Sequence, residues 1–292
     1  MSIRPSNSLP STKSRLAELA KWGSAGLAST SSTPRLDAEL LLAFAVEKPR
    51  SAILAFPEAL VESDAADDYR DLIRRRSDGV PLAYLTGSKE FYSLALEVTS
   101  STLVPRPETE LLVDLALARS SELEQTRFLD LGTGCGAIAL AIKHARPNSV
   151  VTAVDSSRHA LDVAQRNAER LSLDLRLIQS DWFESLGVET YDVIVTNPPY
   201  VAREDIDSSP ELAHEPGLAL DGGPDGLDEV RSILSAAGSR LVPGGCLIME
   251  HGHDQGGTIL DLAAASGYAT IETVTDLAGL DRALVAQAAA GS

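Results

Sequence analysis

The chain has little cysteine, a deficit of basic residues and no long apolar run, and each shortage excludes a class of protein. Of 292 residues only two are cysteine, Cys135 and Cys246. They support neither a disulfide scaffold nor a four-cysteine zinc site. They do not form a C-x-x-C pair, and such usage fits a reducing compartment, so the cytoplasm is the expected location. No stretch of about 18 consecutive apolar residues exists, so neither a transmembrane helix nor a membrane partner is expected. The opening MSIRPSNSLPSTKSR has no apolar core, which argues against a secretory leader. Residues 1–12, rich in Ser, Pro and Asn, are expected to fray. Repeats and low-complexity tracts are absent. Against 42 acidic residues stand 25 Lys and Arg, a net charge of −17. Phosphate-backbone binders need basic patches, so direct nucleic-acid binding is not expected.

What is present is an ordinary globular composition, 44% hydrophobic and 23% charged. A chain of this length buries roughly 75% of its unfolded surface and needs no staples. The charge is uneven. Residues 1–87 hold 11 basic and 11 acidic side chains, so the whole net charge falls after residue 87. That asymmetry points to two units with different tasks. The acidic excess either aids solubility or favours a cationic cofactor or a basic protein partner.

Before residue 88 the periodicity is helical. Helices are expected at Ser14–Leu27, at Arg35–Val46 behind a Thr33 cap and Pro34, at Ser51–Ala55, and from a Ser63 cap to Arg76. The second should bury Leu36, Leu40 and Ala43. No strand pattern appears in this half, which reads as a small helical bundle. Glu90–Val104 is rich in β-branched and aromatic residues and reads as a hairpin. Two prolines in PRPETE, Pro105 to Glu110, break regular structure, and a helix should begin at Glu108 and run to about Arg119.

From Phe128 strands and helices alternate. Strands are expected at 128–131, 150–154, 175–178, 192–196 and 246–250. Helices are expected at 136–145, 157–171, 227–241 and 254–265. Repeated βαβ units imply a mostly parallel sheet covered on both faces. Two closing strands, 268–274 and 282–286, have no helix between them and should pair antiparallel.

The first of these strands ends Asp130-Leu131-Gly132-Thr133-Gly134-Cys135-Gly136. Glycines let backbone approach a ligand closely, and open α/β sheets bind ligands beyond the carboxyl ends of their strands. Asp155 ends the second strand, where a carboxylate can accept both hydroxyl protons of a ribose. Asp181 follows the third, placed to accept from an exocyclic amine, and Trp182 offers a flat face for a purine. The bland alternatives are helix caps for the two aspartates and plain packing for the indole. The string also satisfies the dinucleotide pattern G-x-G-x-x-G/A, so a nicotinamide oxidoreductase is a rival. Asp130 argues against it, because a carboxylate there crowds a pyrophosphate and suits an ammonium. S-Adenosylmethionine carries an ammonium, a ribose, an adenine and a cationic sulfonium.

The fourth strand of the series ends Asn197-Pro198-Pro199-Tyr200. Two prolines remove two donors and stiffen the chain. The Pro198 carbonyl and the Asn197 side-chain carbonyl can then point the same way, two acceptors for an incoming NH2 group, with Tyr200 against the flat face of the target. Methyl transfer is a direct displacement, so positioning and desolvation suffice without a general base. A rigid turn is the plain alternative.

DLGTGCG, VDSS and NPPY, in that order, resemble S-adenosylmethionine-dependent methyltransferases acting on amino nitrogens. PLAYLTGSKEFYSLALEVTSSTLVPRPETE (81–110), EPGLALDGGPDGL (215–227) and GGCLIMEHGHDQG (244–256) narrow the resemblance to the HemK/PrmC type, glutamine N5-methyltransferases of peptide-chain release factors. It spans about residues 34 to 287. The resemblance implies a seven-stranded, mostly parallel α/β sheet of the class I methyltransferase (Rossmann-like) type, preceded by a five-helix N-terminal domain and joined to it by a β-hairpin. It implies boundaries at 1–87 for the helical, release-factor-binding domain, 88–105 for the hairpin and 106–292 for the catalytic domain. It places Asp130, Leu131, Gly132, Thr133 and Gly134 at the methionine end of the cofactor, Asp155 on the ribose and Asp181 with Trp182 at the adenine. It places Asn197, Pro198, Pro199 and Tyr200 on the glutamine amide of a Gly-Gly-Gln tip, with Phe91, Arg106, Pro107, Glu108, Thr109 and Glu110 as a lid. A monomer without metal is expected. His214, His251 and His253 carry no expected role. Glutamine methylation of a large-subunit ribosomal protein is the near alternative, adenine N6-methylation of nucleic acid a more distant one, and a non-catalytic binding module would leave Asn197 unexplained.

Overall fold

The computed structural model describes residues 14–120, 125–209 and 212–290. The frayed segment expected at 1–12 lies outside them. Backbone contacts divide the chain into two units, Met1–Gly87 and Ser88–Ser292.

The first unit carries five helices among the described residues: α1 (Leu16–Gly26), α2 (Pro34–Ala45), α3 (Arg50–Ala55), α4 (Ser63–Ser77) and α5 (Leu82–Thr86). Two short strands, β1 (Ser14–Arg15) and β2 (Leu60–Val61), pair antiparallel. They correct the expectation of a strand-free half; at two residues each they leave no periodic signal. Helix α5 completes the five helices that the resemblance implies; the residue pattern does not locate it, since Pro81 and a bare five residues hide it. Ser63 is the first helical residue rather than the cap. Thr33 precedes α2 as expected, but its hydroxyl donates to Asp37 Oδ1 at 2.9 Å instead of capping the backbone. The buried face of α2 is also rotated from the expected one. Ala43 is buried as expected, but Ala38, Leu41 and Leu42 are fully buried while Leu40 is half-buried and Leu36 exposed. The rotation follows from two buried acids: Asp37 accepts from Ser31, Thr33 and Arg76, and Glu39 accepts from Arg35 and Arg50. Burial pushes the Glu39 carboxyl up, but its two arginines outweigh that and leave it below the usual range.

Helices α1 and α4 meet at Gly23, where a Cβ would lie 1.9 Å from Tyr69 Oη and 2.9 Å from Ile73 Cδ1. Tyr69 is itself fully buried. Gly23→Ala is expected to destabilise this unit by about 1–3 kcal/mol, the usual cost of overpacking. A thermal melt followed by circular dichroism checks it; an unchanged melting profile contradicts the packing.

The second unit opens with a hairpin, β3 (Ser88–Phe91) and β4 (Leu94–Glu97). It is shorter than expected. Its turn residues Tyr92 and Ser93 both have positive φ, 49° and 62°, the two-residue turn that matches strand twist. Glu110 accepts from the Tyr92 N–H at 2.7 Å, and the Tyr92 hydroxyl donates to Asp114 at 2.8 Å. These bonds tie the turn to α6 (Glu110–Ala118), which follows a single 3-10 turn at Pro107–Thr109.

Seven strands form one sheet: β5 (Arg127–Leu131), β6 (Val150–Asp155), β7 (Arg176–Gln179), β8 (Tyr191–Thr196), β9 (Leu241–Glu250), β10 (Thr270–Thr275) and β11 (Asp281–Gln287). Their spatial order is β10-β11-β9-β8-β5-β6-β7. β7, β6, β5, β8 and β9 are mutually parallel, and β11 lies antiparallel between β9 and β10. Fold class and closing antiparallel pair are as the sequence implies. Between the strands run α7 (Ala137–Ala145), α8 (Arg158–Leu171), α9 (Arg203–Ser208), α10 (Asp228–Ala237) and α11 (Gly256–Ala265). Leu129, Leu131, Ile194, Leu247 and Met249 are fully buried, as parallel strands covered on both faces require. Strand order reverses between β5 and β8, so the crevice beyond their carboxyl ends is where a ligand belongs.

Candidate active site

That crevice holds a cavity of about 520 Å³, within the size range of small-molecule sites. Gly132, Thr133 and Gly134 form its floor, and Asp155, Asp181 and Trp182 line it, with Asn197 and Pro199 beside them. The charged groups on its wall are Arg106, Asp155, Asp181 and Glu229, an acidic balance.

The glycine loop is held by its neighbours. Gly132 N and Thr133 N both donate to the Val154 carbonyl at 2.9 Å. Gly132 sits at φ 72°, and a Cβ there would meet the Trp182 ring at 3.5 Å. Only glycine adopts this backbone cheaply and leaves the gap open. Trp182 itself is at φ 39°, a strained value of the kind found at ligand sites. Its indole N–H donates to Glu229 at 2.6 Å. Glu229 therefore holds the ring against the loop. No local pattern signals that role, because Glu229 lies 47 residues away in an ordinary amphipathic helix.

Asp155 accepts from Gly134 N at 2.9 Å and from Ser157 N at 2.8 Å. Burial nonetheless lifts its carboxyl above the usual range. Each oxygen keeps a lone pair for another donor. Ser157 performs the capping role, accepting from Ala160 N at 3.2 Å. Asp130 lies beneath the loop and is fully buried. Its Oδ2 accepts from Thr133 Oγ1 at 2.6 Å and from Ala139 N at 3.2 Å, while Oδ1 has no partner among the described residues. Burial, with Asp155 adding to it, pushes this carboxyl up to about 7. An orphaned buried oxygen of this kind suits a cationic group. Leu131 is buried sheet core and, like Asp130, is not on the cavity wall.

Three distant sequence motifs converge behind Asn197. Its Nδ2 donates to Thr109 Oγ1 at 3.3 Å, Thr109 donates to Glu250 Oε2 at 2.7 Å, and Tyr200 donates to Glu250 Oε1 at 3.0 Å. Gln255 Nε2 donates to the Tyr200 carbonyl at 3.0 Å. The segment 215–227 clasps the same turn: Val201 N donates to the Leu220 carbonyl, and Gly222 N to the Val201 carbonyl. Glu215 joins Arg106 and also accepts from Val104 N at 3.1 Å. It thereby ties the 104–106 segment to the cavity's rim. Asn197 Oδ1 and the Pro198 carbonyl accept no hydrogen bond from the described residues.

Several expected residues stand elsewhere. Tyr200 does not line the cavity; its hydroxyl is committed to Glu250, and burial and that carboxylate raise its pKa. Pro198 is buried. Phe91 is 1% exposed within the hairpin, and it is absent from the cavity wall, so packing and not a lid accounts for it. Of the lid segment only Arg106 and Thr109 reach the wall; Pro107, Glu108 and Glu110 do not, and Glu110 instead holds the hairpin turn. Cys135 is buried and free. His251 is buried between the Gly252 carbonyl and Thr273, and His253 is exposed. Among the described residues no cluster of His, Cys, Asp and Glu could hold a metal, and no helix is long and apolar enough to cross a membrane.

Comparison with known proteins agrees with this geometry. The chain matches the PrmC N-terminal domain over residues 18–87 and the methyltransferase small domain over residues 107–215. It is 42% identical over 273 residues to the release factor glutamine methyltransferase of Coxiella burnetii, covering 93% of this chain and 98% of that one. It is 44% identical over 254 residues to the release factor glutamine methyltransferase of Salmonella typhimurium, covering 86% and 91%. Among solved structures, a methyltransferase from Pyrococcus furiosus matches with a TM-score of 0.52 at 21% identity over 67% of this chain and 89% of that one, a likeness of fold. With this identity along nearly the whole of these relatives, the chain belongs to the release factor glutamine methyltransferase family.

Proposed function

We propose that this chain methylates the side-chain amide nitrogen, N5, of the glutamine in the Gly-Gly-Gln tip of peptide-chain release factors, with S-adenosylmethionine as donor. The observation that carries the reading is Asn197, on the cavity wall with its NH2 end turned to Thr109 and its carbonyl end free. S-Adenosylmethionine supplies an electrophilic methyl group when bound. The residues fit it. Asp155 would accept from the ribose hydroxyls, the Gly132–Gly134 backbone would take the methionine end with the buried Asp130 charge beneath it, and Trp182 with Asp181 would take the adenine.

Asn197 Oδ1 and the Pro198 carbonyl accept the two protons of the glutamine NH2 group. Two fixed acceptors orient the nitrogen without a proton having to move first. Fixed orientation of this kind contributes much of the rate of a displacement. Pro198 and Pro199 offer no N–H, so neither donates to the substrate carbonyl. The cavity's acidic wall favours a cationic donor over a pyrophosphate. Residues 1–87 serve to hold the release factor, residues 88–105 connect, and residues 106–292 carry the chemistry; the enzyme acts as a cytoplasmic monomer.

Trp22 and Trp182 are the two tryptophans of the chain, and Trp182 alone lines the cavity. Titration with S-adenosylhomocysteine is expected to change the intrinsic fluorescence, and Trp182→Phe to abolish that change. A fluorescence response that persists in Trp182→Phe contradicts the adenine assignment. The partner is tested by transfer from labelled S-adenosylmethionine to an unmodified release factor, a large-subunit ribosomal protein fraction and duplex DNA in parallel. Label on the release factor is expected; label on ribosomal protein or DNA alone contradicts the proposal.

A further inference from the structure

We propose that Glu250 and Thr109 are positioning residues: the Glu250 carboxylate accepts the hydrogen bond that the Thr109 hydroxyl donates, leaves Thr109 only as an acceptor toward Asn197, and so turns the Asn197 carbonyl toward the substrate amide. The inference rests on the role given to Asn197 above.

A hydroxyl has a single proton, and an ionised carboxylate has none. Tyr200 and Thr109 lie 3.0 and 2.7 Å from the two Glu250 oxygens, so both hydroxyls donate to it. Thr109 Oγ1 has then no proton left for Asn197, 3.3 Å away. It can only accept, which fixes the NH2 end of Asn197 toward Thr109 and the Oδ1 end away from it. An amide turned the other way would set its NH2 group against the NH2 group of the substrate, and two donors make no bond. Occupancy of one proton site on Glu250 is thus coupled, through Thr109, to whether the site accepts the glutamine. Residues 109 and 250 are 141 positions apart, and 109 and 197 are 88 apart.

Glu250 ends β9 and is 1% exposed. Charged and titratable groups face it from each neighbouring element. Arg282 on β11 favours its ionised form, and Glu108 in the 3-10 turn opposes it. Tyr200 hydrogen-bonds it from the turn after β8, and buried His251 follows it in the chain. Burial is the largest influence and lifts the carboxyl above the ordinary range. Acid therefore disables the device earlier than it would protonate an exposed glutamate.

The test uses the full-length enzyme, a release factor as substrate and three variants. Thr109→Val keeps the shape and removes the hydroxyl; kcat is expected to fall about 10- to 100-fold, the scale of one unmade buried hydrogen bond, with the Kd for S-adenosylmethionine unchanged. Thr109→Ser restores the hydroxyl and is expected to recover most of the loss, which a mere packing role for the threonine methyl would not allow. Glu250→Gln can hand a proton to Thr109, so kcat is expected to fall similarly. The wild-type kcat is expected to decline on the acid side with an apparent pKa above the ordinary glutamate value of about 4.3, and this limb is expected to vanish in Glu250→Gln. Wild-type kcat in Thr109→Val, failure of Thr109→Ser to recover turnover, or an unchanged acid limb in Glu250→Gln overturns the proposal. If Glu250→Gln does not fold, the two Thr109 variants decide. Asn197→Ala in the same assay separates the two levels. If it is inactive while Thr109→Val is fully active, the positioning pair alone is wrong. If Asn197→Ala keeps full turnover, or the wild type methylates no release factor, the underlying functional reading is wrong.

Discussion

Asn197→Ala is expected to reduce kcat by at least about 100- to 1,000-fold, the loss seen when one preorganised hydrogen-bonding group is removed from a reacting centre. The Kd for S-adenosylmethionine is expected to stay within a few-fold of wild type. The two halves of this result come from different parts of the site. In the proposed function Asn197 offers Oδ1 to the substrate amide, its NH2 end being held by Thr109, whereas the cofactor's assigned partners are Asp155, the glycine loop and the Trp182 face. Alanine leaves the Pro198 carbonyl as a single acceptor, and a single acceptor leaves the nitrogen free to rotate about that bond. The loss belongs in kcat because orientation matters most as the methyl group is passed. Single-turnover kinetics with a release factor and calorimetry with the cofactor together check it. Retained turnover removes Asn197 from the mechanism.

Asp155→Ala is expected to do the reverse and strike cofactor binding. The variant loses the acceptors for the ribose, and it also strands the N–H groups of Gly134 and Ser157 that the carboxylate now holds. Hydrogen bonds to a charged group are worth about 1.5–3 kcal/mol each, so the Kd for S-adenosylmethionine should rise by roughly 10- to 100-fold or more. The pH dependence has a definite sign. The ionised carboxylate is the form that accepts from hydroxyls, and burial has raised its pKa above the usual aspartate range. Cofactor affinity is therefore expected to fall as pH drops, beginning at a higher pH than an exposed aspartate would give. Calorimetric titration across pH checks both points; an unchanged Kd in Asp155→Ala removes the ribose assignment.

Much of the catalytic unit was legible because its signals are local. Five parallel strands read as short apolar runs, and the glycine loop, Asp155, Trp182 and Asn197 each lie at a strand end or within three residues of one. A topology that gathers strand ends at one edge brings them together without further information. What stayed hidden is non-local. Glu250 reads as the last residue of a buried strand, and nothing within the run LIME announces that it meets Thr109 and Tyr200. Glu229 reads as a helix-opening acid until Trp182 is seen against it. The rotated face of α2 failed for a related reason. Periodicity assumes that acids face water, and Asp37 and Glu39 are buried instead with arginines from outside their own turn. Phe91 and Tyr200 show a third limit. An aromatic residue near a site can serve the frame around it, as Phe91 does in the hairpin and Tyr200 does on Glu250.

In the proposed reaction the atom methylated is the side-chain nitrogen of one glutamine in a release factor. Tandem mass spectrometry of the Gly-Gly-Gln peptide, after incubation of an unmodified release factor with enzyme and S-adenosylmethionine, tests it most directly. A single added methyl group is expected on the glutamine side-chain amide, absent when Asn197→Ala replaces the wild type. A tip peptide that stays unmodified while methyl groups appear on another residue or another macromolecule would contradict it.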